Sequence, residues 1–251
     1  LENPWIPHDP TPKQAEFLLM PDLEVLFGGS VGGGKSSALL MAALQYVEVP
    51  GYAAILFRRT YTDLALPGAL MDRAHEWLQG TAAKWSEKNK TWTFPSGATL
   101  SFGYLESEND KYRYQSAEFQ FIGFDELTQF TETQYRYLFS RLRRLEGSKI
   151  PLRMRSASNP GGVGHEWVKQ RFIVGGKPFV PASLDDNPHI DRDEYIKSLM
   201  HLDPITREQL LKGDWTAREA GNKFKREWFE IVDSYPADAR LVRYWDLAAT
   251  E

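Results

Sequence analysis

The chain has 251 residues, of which 42% are hydrophobic and 25% are charged, with 19 Gly and 15 Pro; this composition excludes a disordered chain, a collagen helix and a coiled coil. It contains no Cys, which excludes disulfide bridges, thiolate zinc sites and a cysteine nucleophile. The net charge of −4 gives no overall attraction for nucleic acid, so any DNA contact requires a local basic patch.

The first predicted elements are a short buried strand over residues 23–27 and a helix over residues 35–47, separated by a glycine-rich stretch. Residues 53–57 form a second apolar strand, and strand, helix and strand in this order predict a right-handed parallel unit. The longest apolar run, residues 38–44, is far shorter than the ~18 residues that a membrane span needs, so we expect no membrane partner.

Helices and strands continue to alternate further along the chain. The pattern predicts a helix over residues 64–78, a hairpin of residues 91–94 and 98–102, a strand over 119–124, a helix over 132–144 capped by Thr131, a strand over 152–156 and a helical stretch over 191–213. This alternation predicts an α/β fold with an open, mainly parallel sheet, flanking helices and a site at the carboxyl ends of the strands.

A phosphate-binding loop is the strongest motif. The sequence Gly29-Ser30-Val31-Gly32-Gly33-Gly34-Lys35-Ser36 fits G-x-x-x-x-G-K-[ST] at every fixed position, between a predicted strand and a predicted helix. In such a loop backbone N–H groups surround phosphate oxygens, the lysine reaches the β- and γ-phosphates and the serine binds Mg²⁺. We therefore predict a site for ATP and Mg²⁺ formed by Gly29, Gly32, Gly33, Gly34, Lys35, Ser36 and Ser37. A glycine-rich turn with an incidental lysine is the competing interpretation.

An acidic pair, Asp125 and Glu126, follows the predicted strand over residues 119–124. At the carboxyl end of that strand, beside the loop, Asp125 would hold Mg²⁺ through its water shell and Glu126 would orient and deprotonate the attacking water. This arrangement predicts ATP hydrolysis rather than nucleotide binding alone. The alternative is an ordinary acidic turn.

Two further polar residues are candidates for nucleotide contact. The amide of Gln14 can donate to and accept from an adenine edge at once, and Asn159 ends a predicted strand where it could sense the γ-phosphate and relay its loss. The alternatives are an exposed helical glutamine and an Asn-Pro-Gly turn.

Several short strings follow one another along the chain: Phe57-Arg58-Arg59-Thr60, Phe124-Asp125-Glu126-Leu127-Thr128-Gln129-Phe130, Ser158-Asn159-Pro160-Gly161-Gly162, His165-Glu166-Trp167, Leu211-Lys212-Gly213-Asp214-Trp215 and Arg243-Tyr244-Trp245-Asp246-Leu247-Ala248. Together with Gln14 and the loop, this ordered set resembles the ATPase half of a large terminase subunit from tailed bacteriophages or prophages. The resemblance implies a P-loop ATPase of the additional-strand, conserved-glutamate (RecA-like) type.

The same resemblance implies partners and a domain plan. It implies a homo-oligomeric ring, a pentamer, that drives double-stranded DNA through the portal protein into the procapsid, with a small terminase subunit selecting viral DNA. The place of action would be the host cytoplasm, transiently at the portal vertex. Residues 1–214 would be the ATPase domain, 215–238 a lid or linker, and 239–251 the first strand of a ribonuclease-H-like nuclease. Its metal ligand Asp246 would lack the further carboxylates that cleavage needs, so we expect no nuclease activity from this chain.

The chain departs from the family pattern in its arginines. Many members carry an arginine in the phosphate loop, where Val31 stands here, and some carry a trans-acting arginine at the position of Gln115. The arginine finger must therefore come from elsewhere, and the candidates are Arg113, Arg143 and Arg144.

A basic stretch is the candidate DNA contact. It comprises Arg141, Arg143, Arg144, Lys149, Arg153 and Arg155, opposed only by Glu146. Arginines on one surface would hold phosphates without reading sequence. The alternative is a set of solvated arginines on a helix and an edge strand.

Two other functions remain open from the residues alone. One is another P-loop nucleic-acid translocase, although a two-lobed helicase has too little chain after Gly213, and a small-molecule kinase would lack Glu126. The other is a nucleotide-switched assembly or docking protein in which turnover is incidental. Hydrolysis with and without DNA separates these possibilities.

Overall fold

The structure is a computed structural model that describes residues 3–144, 146–188 and 190–217. Most of the predicted linker and the whole of the predicted nuclease strand, with Asp246, lie outside the described residues. Among the described residues, no helix is both long and apolar enough to cross a membrane.

A mixed sheet of eight strands forms the centre of the described fold. The strands are β1 (Glu24–Gly29), β2 (Ala53–Arg58), β3 (Lys84–Ser86), β4 (Thr91–Thr93), β5 (Thr99–Tyr104), β6 (Phe121–Asp125), β7 (Arg153–Ser158) and β8 (Phe179–Ala182). Their order across the sheet is β3-β4-β5-β2-β6-β7-β1-β8. Across the sheet, all neighbouring strands from β5 through β2, β6, β7 and β1 to β8 are parallel, whereas β4 pairs antiparallel with both β3 and β5. The antiparallel pair β4 and β5 confirms the hairpin predicted as an insertion in a parallel sheet.

Helices cover the sheet. They are α1 (Pro12–Leu19), α2 (Lys35–Leu44), α3 (Tyr61–Ala65), α4 (Leu70–Leu78), α5 (Glu132–Phe139), α6 (His165–Val168), α7 (Arg192–Leu199) and α8 (Pro204–Lys212). Nearly every residue of α2 is buried, because this helix packs on β2, β6 and β7 and also against α1 and α4. Its rigid position fixes the loop that precedes it.

The strand order has the feature that defines an additional-strand ATPase. β7 lies between β1, which leads into the phosphate loop, and β6, which ends in Asp125. In the register of these strands Gly28 pairs with Ser158, and Asp125 pairs with Ala157. The loop, the acidic pair and Asn159 therefore meet at one edge of the sheet, as the sequence predicts.

Gly123 makes close packing possible in the middle of β6. A Cβ atom there would lie 2.5 Å from Leu56 Cδ2 and 3.2 Å from Leu39 Cδ1 of α2. Both leucines are fully buried, so a larger residue would push α2 away from the sheet. The glycine weakens the strand but holds the helix close to it.

Several predicted boundaries are wrong for identifiable reasons. The helix predicted over residues 64–78 is two helices, α3 and α4, because Pro67 and Gly68 interrupt it. The helical stretch over 191–213 is likewise divided before Pro204, which begins α8. Thr131 caps its helix as predicted, within a capping box completed by Gln134, but the helix ends at Phe139 rather than at residue 144.

The basic stretch is not one surface, and its assignment as a single DNA patch is wrong for two members. Arg155 is fully buried, and its guanidinium donates to the carbonyl oxygens of Met20 at 2.7 Å and Asp22 at 2.9 Å. Arg153 donates to Leu18 O at 3.2 Å. The two arginines donate to carbonyl groups at or just beyond the end of α1, where helical partners are lacking. They therefore hold α1 against the sheet rather than forming one exposed surface with the other basic residues.

We expect Arg155→Ala to lower the free energy of unfolding by about 3 kcal/mol or more, because it removes a fully buried side chain together with its hydrogen bonds to Met20 O and Asp22 O. Denaturant unfolding measures the change. The matched control is Arg136→Ala, an arginine 68% exposed whose partner Glu132 is also exposed, for which we expect a change within about 0.5 kcal/mol. Equal effects of the two substitutions would contradict the role given to Arg155.

Candidate nucleotide-binding and hydrolysis site

The phosphate loop turns sharply into α2 at Gly34. Gly34 has φ of 70° in the left-handed region, and a Cβ atom on it would lie 2.6 Å from Gln14 Nε2. Its geometry therefore requires glycine. The turn aims the N-terminus of the ten-residue helix α2 at the cleft, where the helix dipole and free N–H groups favour an anion.

The elements at the carboxyl edge of the sheet hold the loop in place. The Ser30 amide donates to Ala182 O of β8 at 2.9 Å, and the Val31 amide donates to Leu210 O of α8 at 2.8 Å. The Asn187 side chain donates to Gly32 O at 2.5 Å. The loop is therefore fixed before any ligand arrives, and segments late in the chain contact it directly.

An open cleft of about 580 Å³ lies over the loop, a volume suited to a nucleotide. Its lining combines polar groups from the loop with residues from distant parts of the chain: His8, Gln14, Val31, Gly32, Gly34, Lys35, Ser36, Ser37, Arg73, Glu126, Asn159, Asn187, Ile190 and Tyr195.

Asp125 and Ser36 form the candidate Mg²⁺ site. The Ser36 hydroxyl donates to the Asp125 carboxylate, with Oγ 3.1 Å from Oδ1 and 3.3 Å from Oδ2. Burial raises the pKa of Asp125, and the guanidinium of Arg58, 3.2 Å from Oδ2, opposes that rise. Two hard oxygen ligands fit Mg²⁺, which takes few protein ligands and completes its shell with phosphate and water. The described residues contain no larger group of carboxylates and imidazoles that could hold a metal ion.

Glu126 lies in the cleft in a conformation that its neighbours impose. Its φ of 54° and ψ of 58° place a non-glycine residue in the left-handed region, which is strained and is common at functional sites. Burial and the adjacent charge of Asp125 raise the pKa of Glu126, while Lys35 and Arg58 oppose the rise. A carboxylate with a raised pKa is a better proton acceptor, as a general base requires.

Asn159 and Gln14 both line the cleft, but they differ in whether their side-chain oxygen already accepts a hydrogen bond. Asn159 Oδ1 is buried and has no hydrogen-bond partner, so it can accept from a bound ligand or water. The amide of Gln14 is already engaged, since its Oε1 accepts from Thr11 N at 2.9 Å and its Nε2 donates to Gly34 O at 2.9 Å. Gln14 thus braces the loop, and its predicted contact with adenine would need these bonds to rearrange.

The family can be stated once these positions are known. The family model described as terminase large subunit, T4likevirus-type, N-terminal, matches residues 26–231. The chain belongs to the large terminase family. This confirms the resemblance inferred from the order of the motifs. No curated protein matches the sequence.

Solved large terminases share the fold at low identity. The large terminase of a thermophilic bacteriophage has a TM-score of 0.67 and 15% identity over 83% of this chain and 54% of its own, and it was also solved with ATP-gamma-S and with ADP. The bacteriophage HK97 large terminase has a TM-score of 0.60 and 10% identity over 83% of this chain and 51% of its own. The large terminase ATPase domain of Thermus phage P74-26 has a TM-score of 0.55 and 15% identity over 84% of this chain and 96% of its own. This terminase chain therefore spans about half the length of the first two proteins and nearly all of the third.

Six residues assigned to the site from the terminase sequence do not line the cleft. One of them, Asp125, still belongs to the site, because its carboxylate accepts from the hydroxyl of Ser36. Gly29 and Gly33 pack the loop against β8 instead, where their Cβ atoms would lie 2.2 Å from Ala182 O and 3.0 Å from Ala182 Cβ. The finger candidates Arg113, Arg143 and Arg144 are exposed and lie elsewhere on the surface. Arg113 pairs with Asp110, Arg143 pairs with Glu118, and Arg144 donates to Ile150 O.

Sequence reasoning missed other residues of the terminase site. Arg58 ends β2, the neighbour of β6, so its contact with Asp125 follows from the strand order. Arg73 lies on α4 and belongs to no recognisable sequence motif. Tyr195, on α7, lines the cleft because β8 brings the chain that follows it back to the loop, and the sequence pattern does not predict β8.

We expect the terminase chain to bind ATP more weakly as the pH rises through about 8. Burial lowers the pKa of Lys35 to about 8, and the carboxylates of Glu126 and Asp125 oppose that shift. Lys35 is charged below this pKa and neutral above it, so the loss of its charge weakens phosphate binding by up to tenfold per pH unit. Calorimetric titration between about pH 7 and 9.5 measures the affinity. In Lys35→Arg, which stays charged throughout, the dependence is expected to vanish, and a flat profile for the parent would contradict the prediction.

Proposed function

We propose that this chain is the ATP-hydrolysing motor that translocates double-stranded viral DNA into a procapsid. Family membership supports the packaging role, and the arrangement of groups in the cleft supports ATP as the fuel. Asp125 and Ser36 would hold Mg²⁺, which when bound neutralises charge on the phosphates. Lys35 binds phosphate oxygens, and the N-terminus of α2 orients them.

The position of Glu126 carries the proposal. A nucleotide-binding switch needs only the loop and the metal ligand, whereas a hydrolase needs a base that faces the water behind the γ-phosphate. Glu126 lines the same cleft as Lys35 and Ser36, its pKa is raised, and the unpartnered Oδ1 of Asn159 lies in that cleft as well. The two side chains can orient one water, and Glu126 can accept its proton.

A route from the cleft to the end of the described chain supports coupling to movement. His165 Nδ1 accepts from the Gly161 amide at 2.8 Å, so its Nε2 carries the proton and donates to Trp215 O at 3.2 Å. His165 also stacks on Trp215. A shift of the loop that follows Asn159 therefore reaches the start of the proposed linker over residues 215–238.

The assembly that we propose is a pentameric ring on the portal protein in the host cytoplasm, with a small terminase subunit as its partner. Residues 1–214 would be the motor domain of each subunit, and residues 239–251 would begin the nuclease. DNA-stimulated ATP hydrolysis at increasing protein concentration tests this function. We expect a steep rise in specific activity with concentration, and hydrolysis that neither DNA nor assembly stimulates would overturn the motor assignment.

A nucleotide-switched docking protein is the second candidate. The bonds from Val31 to Leu210 of α8 and from Asn187, which precedes α7, to Gly32 favour it, because they let bound phosphate alter both segments without turnover. Single-turnover hydrolysis with and without DNA separates the two. A motor requires DNA to accelerate the chemical step, whereas a switch requires only that binding change docking.

A further inference from the structure

Arg73 is a cation in the cleft to which neither the motifs nor the proposed chemistry gives a role. It lies on α4, which packs against α2. One terminal nitrogen of its guanidinium, Nη1, donates to Ser37 Oγ, and the other, Nη2, donates to Gly68 O at 3.2 Å. These two bonds fix the guanidinium at the wall of the cleft beside the first turn of α2.

The charge of Arg73 is not neutralised locally. No carboxylate in residues 3–144, 146–188 and 190–217 forms an ion pair with it, whereas Arg58 in the same region is paired with Asp125. The Arg73 Nε is buried and has no hydrogen-bond partner. A buried N–H donor without an acceptor destabilises the protein unless a ligand supplies one. Its charge acts on the site, since it helps to lower the pKa of Asp125 against the effect of burial.

The position of Ser37 indicates which part of a nucleotide Arg73 would meet. Lys35 and Ser36 serve the β- and γ-phosphates and the metal, and the loop amides surround the α- and β-phosphates. Ser37 is the next residue along α2, whereas Glu126 and Asn159 reach the cleft from the ends of β6 and β7. Through Ser37, Arg73 is therefore held beside the part of the loop that surrounds the α- and β-phosphates. The side chains proposed for hydrolysis, Glu126 and Asn159, come instead from the ends of strands.

We propose that Arg73 binds the α- or β-phosphate of the nucleotide from within the same subunit, as a second phosphate-binding cation beside Lys35. The phosphate loop itself has Val31 and no arginine, so Lys35 is the only cationic side chain that the loop brings to the phosphates. A guanidinium provides planar paired donors that suit phosphate oxygens. This inference rests on the proposed nucleotide site and requires no hydrolysis.

The test measures ADP, which has no γ-phosphate. A fluorescent methylanthraniloyl derivative of ADP is titrated into the parent and into Arg73→Ala, Arg73→Lys and the control Arg136→Ala, each checked for unaltered thermal unfolding. We expect Arg73→Ala to weaken ADP and ATP binding by the same factor, about 10- to 100-fold. Arg73→Lys should lose less affinity, because it keeps the charge but not the paired donors.

Three outcomes overturn the inference. Unchanged ADP affinity in Arg73→Ala would show that the guanidinium does not touch the shared phosphates. Unchanged ADP affinity together with a loss of ATP turnover in Arg73→Ala would indicate that Arg73 acts on the γ-phosphate instead. Failure of the proposed function gives a different result. A parent that binds ADP through Arg73 but never hydrolyses ATP would overturn the proposed motor function and would not contradict this inference. A parent that binds no ADP at all would overturn both.

Discussion

Glu126→Gln is expected to reduce ATP turnover by roughly 10²-fold or more while ATP affinity stays near that of the parent. The substitution keeps the size and shape of the side chain but replaces one accepting oxygen with a donating NH2 group and removes the ability to accept a proton. Binding depends on the loop, Lys35 and the N-terminus of α2, which the substitution does not touch. Single-turnover hydrolysis and equilibrium binding of ATP measure the two quantities separately.

The pKa of Glu126 adds two checks to this expectation. Because burial and Asp125 raise that pKa above the ordinary value of 4.5, the hydrolysis rate should fall as the pH drops through a correspondingly higher value. The ionised carboxylate also destabilises the folded protein at neutral pH, so Glu126→Gln should unfold at the same or a higher temperature.

Glu132→Gln provides the matched control for this substitution. Glu132 is 44% exposed and pairs with Arg136 on the surface of α5. It should therefore leave both binding and turnover unchanged. Equal losses of affinity and turnover in Glu126→Gln would mean that Glu126 is structural.

The parts of the site that could be predicted from sequence are those in which a short string contains the whole mechanism. The loop from Gly29 to Ser36 holds its glycines, lysine and serine within eight residues, and Asp125 and Glu126 follow an apolar run directly. The sheet then brings the two together because parallel strands end at one edge. Gly123 weakens a strand in isolation, and its role depends on the close packing of α2 against it, which the sequence does not show.

The parts that could not be predicted depend on contacts between distant segments. β3 has three residues and β8 contains Pro181, so neither has a pattern that marks a strand. Without β8, the approach of Tyr195 and Asn187 to the loop is invisible. Arg153 and Arg155 mislead for the same reason, because their partners are carbonyl groups at the end of α1, about 135 positions earlier in the chain. The interruption at Pro67 was readable, since proline within a helical pattern ends a helix.

The three candidates for an arginine finger lie on two different parts of the surface. Arg113 is 53% exposed, and its guanidinium lies 5.0 Å from the ring of Tyr104, which ends β5. The Arg143 amide donates to Phe119 O, just before β6 begins, and Arg144 follows it. Arg113 is thus near the carboxyl edge of the sheet, and the other two are near the amino edge. A closed ring has one kind of interface, so we propose that only one of these two surfaces meets a neighbour's cleft.

Alanine at the correct arginine is expected to reduce the hydrolysis rate by roughly 10³-fold, because an arginine supplied in trans stabilises charge on the transferring phosphoryl group. Such a variant keeps its own cleft intact, with Lys35 and Glu126 in place, and lacks only what it gives to its neighbour. Lys35→Ala has the opposite defect, since it cannot bind phosphate but still carries every arginine. Each variant should be nearly inactive when assayed alone.

Mixing the two should restore part of the activity, because a subunit with an intact cleft can then receive an arginine from a Lys35→Ala neighbour. Arg113→Ala, Arg143→Ala and Arg144→Ala are each mixed with Lys35→Ala at a concentration where the parent is assembled, and ATP hydrolysis is followed as the ratio changes. Rescue of one variant identifies the finger and the surface that forms the ring interface. Arg136→Ala, exposed on α5, should need no rescue. An inactive variant that is not rescued at any ratio would contradict the assignment of a trans-acting arginine. If all three variants stay active, the finger is none of them, and Arg58 beside Asp125 is in position to act from within the same subunit.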